Sequence, residues 1–211
     1  AWDADGERVT VSLPLPMSDS PIVVEDDGSG MTEEELRRHY LSIASDRRTR
    51  RGERTAGKQR RVKGRKGIGK FAGLMAAAEM TLETWARSRY CSFSLSLQDL
   101  ETVEDIEQLP IQLSVEDCDA EKHGTRITLR SLHQGLSFPN PDKLRQVLLQ
   151  EYGREESFAI VVDGKALGVD DAPGAYSEAD ASLQSIGDVR LRFSISDKKS
   201  GLRQPGITIK V

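Results

Sequence analysis

Apolar and polar residues alternate in several short stretches of the chain. Helical spacing recurs in only a few, so the pattern predicts a sheet with helices laid against it. Val9, Val11 and Leu13 alternate with Thr10 and Ser12, a half-buried strand over residues 8–13 ended by Pro14 and Pro16. Pro21 to Glu25 reads as a buried strand running into a glycine-rich turn. Thr32 followed by Glu35 is a capping-box signature, and Leu36, Tyr40 and Ile43 give the helix it opens an apolar side. Ile68 to Glu79, rich in alanine, reads as a helix packed closely on a sheet. Met80–Arg87 and Tyr90–Leu97 alternate around Ser88-Arg89 as a hairpin, and Ile111–Val115 with Thr125–Leu132 reads as a second pair.

Beyond a Pro139-Asn140-Pro141 break, Pro141 to Tyr152 has a helical face of Leu144, Val147, Leu148 and Tyr152. Phe158–Val162 is a strand ending in the turn signal Asp163-Gly164. Gly168 to Gly187 is polar and reads as loop; Val189–Ile195 and Ile207–Val211 read as strands. The expected organisation is α/β, a mixed sheet with helices on one face. The first domain is expected over residues 1–139, and the start of a second αβ segment over 140–211.

Composition refines this only slightly. The 211 residues are 37% hydrophobic and 30% charged, with a net charge of −4, which suits a soluble globular chain and argues against a polyanion binder by bulk charge. Cys91 and Cys118 have no metal-ligand spacing and do not make a disulfide framework, so a reduced, cytoplasmic setting is expected. No run nears the ~18 apolar residues of a membrane span. Cations concentrate between Arg47 and Lys66, where Glu53 is the one acid. That segment, from Asp46 to Lys63, has no period and few apolar residues, and is expected to be a mobile loop.

Two glycine clusters carry the chemistry. Asp26-Asp27-Gly28-Ser29-Gly30-Met31 follows the β-branched run Ile22-Val23-Val24. Gly64-Arg65-Lys66-Gly67-Ile68-Gly69-Lys70 opens the alanine-rich stretch. A carboxylate at a strand end can accept hydrogen bonds from an amino group. Glycines at a helix start let backbone N–H groups approach an anion. Taken alone, Asp26 reads first as an Asx turn with Gly28, and only beside the other glycine motifs as a ligand.

Asp26-x-Gly28-x-Gly30, Gly64-x-x-Gly67-x-Gly69 and Gly124-Thr125 before a strand resemble, in order and spacing, the motifs of the Bergerat-fold ATPases. This superfamily includes gyrase B, the ninety-kilodalton heat-shock chaperones, sensor histidine kinases, MutL and MORC proteins. The resemblance covers about residues 1–132 and is nearest to the chaperone and MORC-like members. It implies ATP and Mg2+ as ligands. Asp26 would contact adenine, with Thr125 helping through a shared water. Gly28, Gly30 and Met31 would shape the first turn, and Gly64, Gly67, Ile68, Gly69 and Lys70 would hold phosphate. It implies slow hydrolysis used as a switch, with an ATP lid in the basic segment, a homodimer in the parent protein, and a DNA or protein client. The family's general-base Glu and metal-binding Asn precede a segment like Ala1-Trp2-Asp3-Ala4, so the chain is expected to be a fragment whose parent carries both upstream. No catalytic or metal-binding residue is assigned within it.

Two other ligand loops fail on single residues. An EF-hand register starting at Glu25 puts Leu36 where a bidentate Glu is needed. A P-loop register puts Phe71 where the magnesium-binding hydroxyl belongs. A nucleic-acid-binding module using residues 47–66, with the glycine boxes as structural turns, stays open as a second class. No aromatic is interleaved there, which disfavours single-strand stacking.

Overall fold

The computed structural model describes residues 1–14, 19–40, 52–64, 69–102, 111–153, 155, 157–185 and 187–195. Ile43, Arg47, Arg65, Lys66, Gly67, Ile68 and the expected strand at 207–211 lie outside them. The chain divides into two compact units, Ala1–Phe138 and Pro139–Val211.

The first unit is built on strands β1 (Arg8–Ser12), β2 (Ile22–Asp26), β3 (Ala77–Ala86), β4 (Arg89–Ser96), β5 (Ser114–Asp117) and β6 (Gly124–Leu132). They lie in the order β5-β4-β3-β6-β2-β1, each ladder antiparallel. The register explains the core. Residues two apart on a strand share a face, and the pairings stack Ile22–Leu129–Met80–Leu95 in one row and Val24–Ile127–Leu82–Phe93 in the next. Short helical segments cover this face: α1 (Glu33–Glu35) continuing into a wider turn at Leu36–Tyr40, the tight turns of Gly69–Met75, and α2 (Leu97–Glu101). Leu36, Leu74, Phe71, Tyr40 and Leu97 pack on it. The α/β fold with helices against a sheet is therefore the one the alternation predicts.

Local signals explain the details. Glu35 N–H donates to Thr32 Oγ1 at 3.3 Å and Thr32 N–H to Glu35 Oε2 at 3.0 Å, the reciprocal cap read from sequence. The β3–β4 hairpin turns on Arg87-Ser88, one residue earlier than expected, with φ of 52° and 62°. Positive φ at both central positions matches the right-handed twist of the flanking strands.

Two expectations fail here. Residues 77–79 are strand, not helix: Ala77 pairs with Leu132, and Gly73 lies so close to the sheet that a Cβ there would meet Leu129 Cδ2 at 2.6 Å. The ladder with β6 overrides the helix preference of alanine, which is a weak prior. β5 and β6 do not pair with each other; β5 pairs with β4, and β6 lies between β3 and β2. Alternation shows that a strand exists, not which neighbour it takes.

In the second unit, α3 (Pro141–Tyr152) starts with Asn140 accepting from Lys143 N–H at 2.8 Å and Pro141 at its first turn. Its inward residue is Arg145, 5% exposed, whereas Val147, expected on the apolar side, is 52% exposed. β7 (Ala159–Val162) and β8 (Lys165–Ala166) form a hairpin on Asp163-Gly164, both at positive φ. The polar stretch expected to be loop contains β9 (Ala175–Leu183), paired with β10 (Gly187–Ile195). Its small alanines hid the alternation. Ala175, Ala179 and Ala181 pair with Ile195, Leu191 and Val189, while Asp180 faces Arg190 and Glu178 faces Arg192.

Candidate functional site

The core face of the first unit has a third row, and it is polar. One register step beyond Val24–Ile127–Leu82–Phe93 stand Asp26, Thr125, Thr84 and Cys91. Thr84 and Cys91 are fully buried, and the Asp26 side chain is 11% exposed. Burial pushes the Cys91 thiol pKa up. Polar groups placed where an apolar face would continue require partners, and Thr84 has three. Its hydroxyl accepts from Met31 N–H at 2.9 Å, donates to the Gly124 carbonyl at 3.0 Å, and lies 3.3 Å from Thr125 Oγ1. The sequence reading named Asp26, Met31 and Thr125 and missed Thr84, which ties the last two together. Its signal was a threonine in the inward phase of Met80, Leu82 and Thr84.

The first glycine turn is clasped from all sides. Asp26 Oδ1 accepts from Gly28 N–H at 2.8 Å, so the Asx turn is present, while Oδ2 lies 2.9 Å from the Ala1 amine. Asp27 Oδ1 accepts from Glu7 and Arg8 N–H, both at 2.8 Å, and Ser29 N–H donates to the Ala4 carbonyl at 2.9 Å. His123 Nδ1 lies 3.0 Å from the Gly28 carbonyl oxygen. Gly30 has φ +63°, and a Cβ there would sit 1.9 Å from the Trp85 carbonyl oxygen. Gly124 has φ +122°, with a Cβ position 2.1 Å from the Asp26 carbonyl oxygen. No side chain fits at either, so backbone meets backbone where the polar row ends.

The described part of the basic segment differs from the expectation. Residues 52–64 are not free loop: Thr55 N–H donates to the Arg60 carbonyl at 2.8 Å and Val62 N–H to the Glu53 carbonyl at 2.9 Å, closing a small hairpin. The hairpin is fastened to residues 2–7. Asp5 accepts from Gly57 N–H at 2.7 Å and Lys58 N–H at 3.1 Å, and Asp3 accepts from Lys63 and Gly64 N–H, both at 2.9 Å. Arg60 and Lys63 lie over the Trp2 ring at 4.7 and 4.6 Å, and Trp2 Nε1 donates to the Arg61 carbonyl. Arg60, 7% exposed, donates to the Gly6 carbonyl at 2.5 Å, and Lys58 pairs with Glu7 at 2.5 Å. Burial works to raise the Asp5 pKa. The Thr55 hydroxyl, the Gly57 and Lys58 N–H groups and the Arg60 charge outweigh it and hold the carboxyl below its usual range. Composition suggested mobility because it weighs apolar burial alone; carboxylates elsewhere in the chain supply the order.

Gly64 is thus held by Asp3, and Gly69 and Lys70 begin the turns of Gly69–Met75. The two glycine boxes share one neighbour, residues 1–5. Ala4 meets the first box, and Asp3 the second.

A family model described as histidine kinase-, DNA gyrase B- and HSP90-like ATPase matches residues 1–125. The chain belongs to this ATPase family. Solved structures agree on the fold of this ATPase-family chain. The ATPase region of Saccharomyces cerevisiae topoisomerase II superposes with a TM-score of 0.54 at 15% identity, over 79% of this chain and 46% of that one. The same region bound to ICRF-187 (dexrazoxane) gives 0.53 over the same shares, also at 15% identity. The ATPase and transducer domains of Balamuthia mandrillaris DNA topoisomerase II give 0.53 at 15% identity, over 86% of this chain and 51% of that one. The chain therefore spans about half the length of these structures. No curated protein sequence is similar enough to count as a relative.

As a member of this ATPase family, the chain has residues whose chemistry fits the base of the expected nucleotide. The end of the polar row, a carboxylate with the Thr125 hydroxyl on the neighbouring strand, suits an amino-bearing base. Among the described residues no three His, Cys, Asp or Glu side chains come together to hold a metal ion. Among them, too, no helix is long and apolar enough to cross a membrane.

Proposed function

We propose that the chain binds ATP at the end of the polar row, with Asp26 accepting from the adenine amino group and Thr125 beside it. The observation that carries this reading is the row itself: Asp26, Thr125 and Thr84 continue an apolar core face in register, next to a glycine turn whose geometry excludes side chains. A carboxylate has about four lone-pair sites, so the Gly28 N–H and the Ala1 amine together leave acceptor capacity for a ligand. Gly28, Gly30 and Met31 shape that turn, and Gly64, Gly67, Ile68, Gly69 and Lys70 are the proposed phosphate side.

In this proposal the parent protein hydrolyses ATP slowly, with magnesium accompanying the phosphates, and uses the cycle to close a lid or to dimerise. The second unit would relay the nucleotide state as a transducer. The match to a structure comprising ATPase and transducer domains supports that role. The two free thiols suit a cytoplasmic setting. Nucleic-acid binding by the basic segment gains no support from its described part, where Lys58, Arg60 and Lys63 are engaged within the chain.

Calorimetric titration with ATP tests the reading. Wild-type protein is expected to bind, and a folded Asp26→Asn variant to bind at least tenfold more weakly, since a hydrogen bond to a charged group contributes about 1.5–3 kcal/mol. Equal affinity of the two proteins refutes the assignment.

A further inference from the structure

We infer that Thr84 sets the hydrogen-bond polarity of the proposed base site. It holds the Thr125 hydroxyl as an acceptor, so that the end of the polar row takes a base with an amino group and turns away one with a carbonyl there. The inference rests on the nucleotide reading above and adds to it a positioning residue that acts on the ligand only through Thr125. A threonine hydroxyl has one hydrogen and two lone pairs. Thr84 is fully buried, and two of its partners have fixed roles. The Gly124 carbonyl, at 3.0 Å, can only accept, so the one hydrogen of the Thr84 hydroxyl goes there. Met31 N–H, at 2.9 Å, can only donate, so it occupies one lone pair. The third partner, Thr125 Oγ1 at 3.3 Å, then has one role open, which is to donate to the remaining lone pair. With its hydrogen committed to Thr84, Thr125 offers lone pairs alone. A base edge or a water that reaches it must bring a hydrogen.

The two backbone partners are held where they are by neighbouring backbone. Met31 follows Gly30, where a Cβ would sit 1.9 Å from the Trp85 carbonyl oxygen, and the Cβ position of Gly124 is 2.1 Å from the Asp26 carbonyl oxygen. Packing this close leaves little room for Met31 N–H or the Gly124 carbonyl to turn away and release Thr84. Opposite Thr125 in the register stands Asp26, and an ionised carboxylate only accepts. The row therefore ends in acceptors on two paired strands. An amino group brings two hydrogens to such an end. A carbonyl oxygen in its place brings none and meets lone pairs. Thr84→Val keeps the side-chain shape but returns the Thr125 hydrogen to free rotation, so that Thr125 can donate to a carbonyl.

The test compares ATP with inosine triphosphate, which has the same sugar and phosphates but a carbonyl in place of the amino group. Calorimetric titrations use the full chain, in wild type, Thr84→Val, Thr84→Ser, Thr125→Val and the Thr84→Val/Thr125→Val double variant. Wild type is expected to prefer ATP by about tenfold or more. Thr84→Val should lower that preference by roughly fivefold, the size of one neutral hydrogen bond, whatever happens to ATP affinity itself. Thr84→Ser keeps the hydroxyl and should restore the wild-type preference. Thr125→Val removes the acceptor and should also lower the preference, and adding Thr84→Val to it should change the preference no further, because Thr84 then has nothing to act through. A brace that merely steadied the glycine turn would weaken both nucleotides alike. A folded Thr84→Val protein with the wild-type preference therefore overturns the inference and leaves the nucleotide reading standing. Should Thr84→Val not fold, an unchanged preference in Thr125→Val overturns it in the same way. A wild-type protein that shows no preference, or binds neither nucleotide, overturns both.

Discussion

Each unit of this chain holds an aspartate largely out of solvent, Asp171 buried and Asp26 partly so, and the two are treated differently. Asp171 in the second unit is matched by side-chain cations. Arg145 Nε lies 2.8 Å from its Oδ1 and Lys165 Nζ 3.3 Å, while Gly168 N–H donates to Oδ2 at 3.0 Å. Arg145 also bonds Asp142, and Lys165 pairs with Asp170 at 2.7 Å. Asp26 in the first unit is matched by main-chain nitrogens, those of Gly28 and Ala1, and stands opposite Thr125 in the register. The first arrangement closes on itself and locks a helix to a turn. The second places a carboxylate opposite a threonine, with acceptor capacity to spare. Burial of a charge is thus a poor guide to function by itself; the identity of its partners separates a structural pair from a candidate site.

Four changes would break or sharpen this contrast. The largest effect is expected from Arg145→Met, which strands Asp171 without its buried partner. Urea unfolding should show a loss of about 3–5 kcal/mol, with ATP affinity per folded molecule unchanged. A loss under about 1 kcal/mol would mean that the pair contributes little.

Asp26→Asn should behave in reverse. ATP affinity is expected to drop by about 1.5–3 kcal/mol, with the urea midpoint moving little because the amide oxygen still accepts from Gly28 N–H. A large shift in midpoint with unchanged ATP affinity would class Asp26 with Asp171.

Thr84→Val removes the hydroxyl that joins Met31, Gly124 and Thr125 while keeping the shape. It leaves Met31 N–H unsatisfied, so a stability loss of about 1–3 kcal/mol is expected. Weaker ATP binding should accompany it, since the glycine turn loses its brace. Stability without any loss, by thermal melting, would show that the row tolerates an apolar end.

The smallest effect is a pH dependence. In Asp171, burial acts to raise the pKa, but the Gly168 N–H, Arg145 and Lys165 lower it further, leaving the folded value below the usual range. A depressed carboxyl binds fewer protons folded than unfolded, so stability rises with pH through that window. Its contribution is complete above the unfolded value of about 3.9 and is lost as pH falls through the folded one. Asp5 has the same sign, with burial opposed by the Thr55 hydroxyl, two N–H groups and Arg60. Acid titration below about pH 4 should therefore loosen the hairpin on Trp2, read by fluorescence, and weaken the second unit. Arg145→Met should flatten the second response and leave the first.

Local pattern determined much of this protein. Alternation marked five of the first unit's strands, the Thr32–Glu35 cap opened its helix, Asn140-Pro141 began another, and Asp163-Gly164 turned a hairpin. These signals are legible because each depends on neighbours within a few residues. The three glycine motifs were legible for a similar reason, since glycine stands out wherever backbone must meet backbone, as at Gly30 and Gly124. Tertiary structure decided the rest. It chose β4, not β6, as the partner of β5, and drew Ala77 into a strand because a ladder was waiting beside it. It turned Arg145 inward because Asp171, distant in sequence, lay there to neutralise it. It ordered residues 52–64, part of a basic segment that composition reads as loop, because Asp3 and Asp5 offered paired acceptors to their N–H groups. It gave Thr84 a place in the polar row that no local pattern could show, since a threonine in a strand is ordinary until the register sets it between Asp26's neighbour Thr125 and the buried Cys91. Partners far apart in sequence meet only when the chain is folded, and those meetings made both the core row and the candidate site.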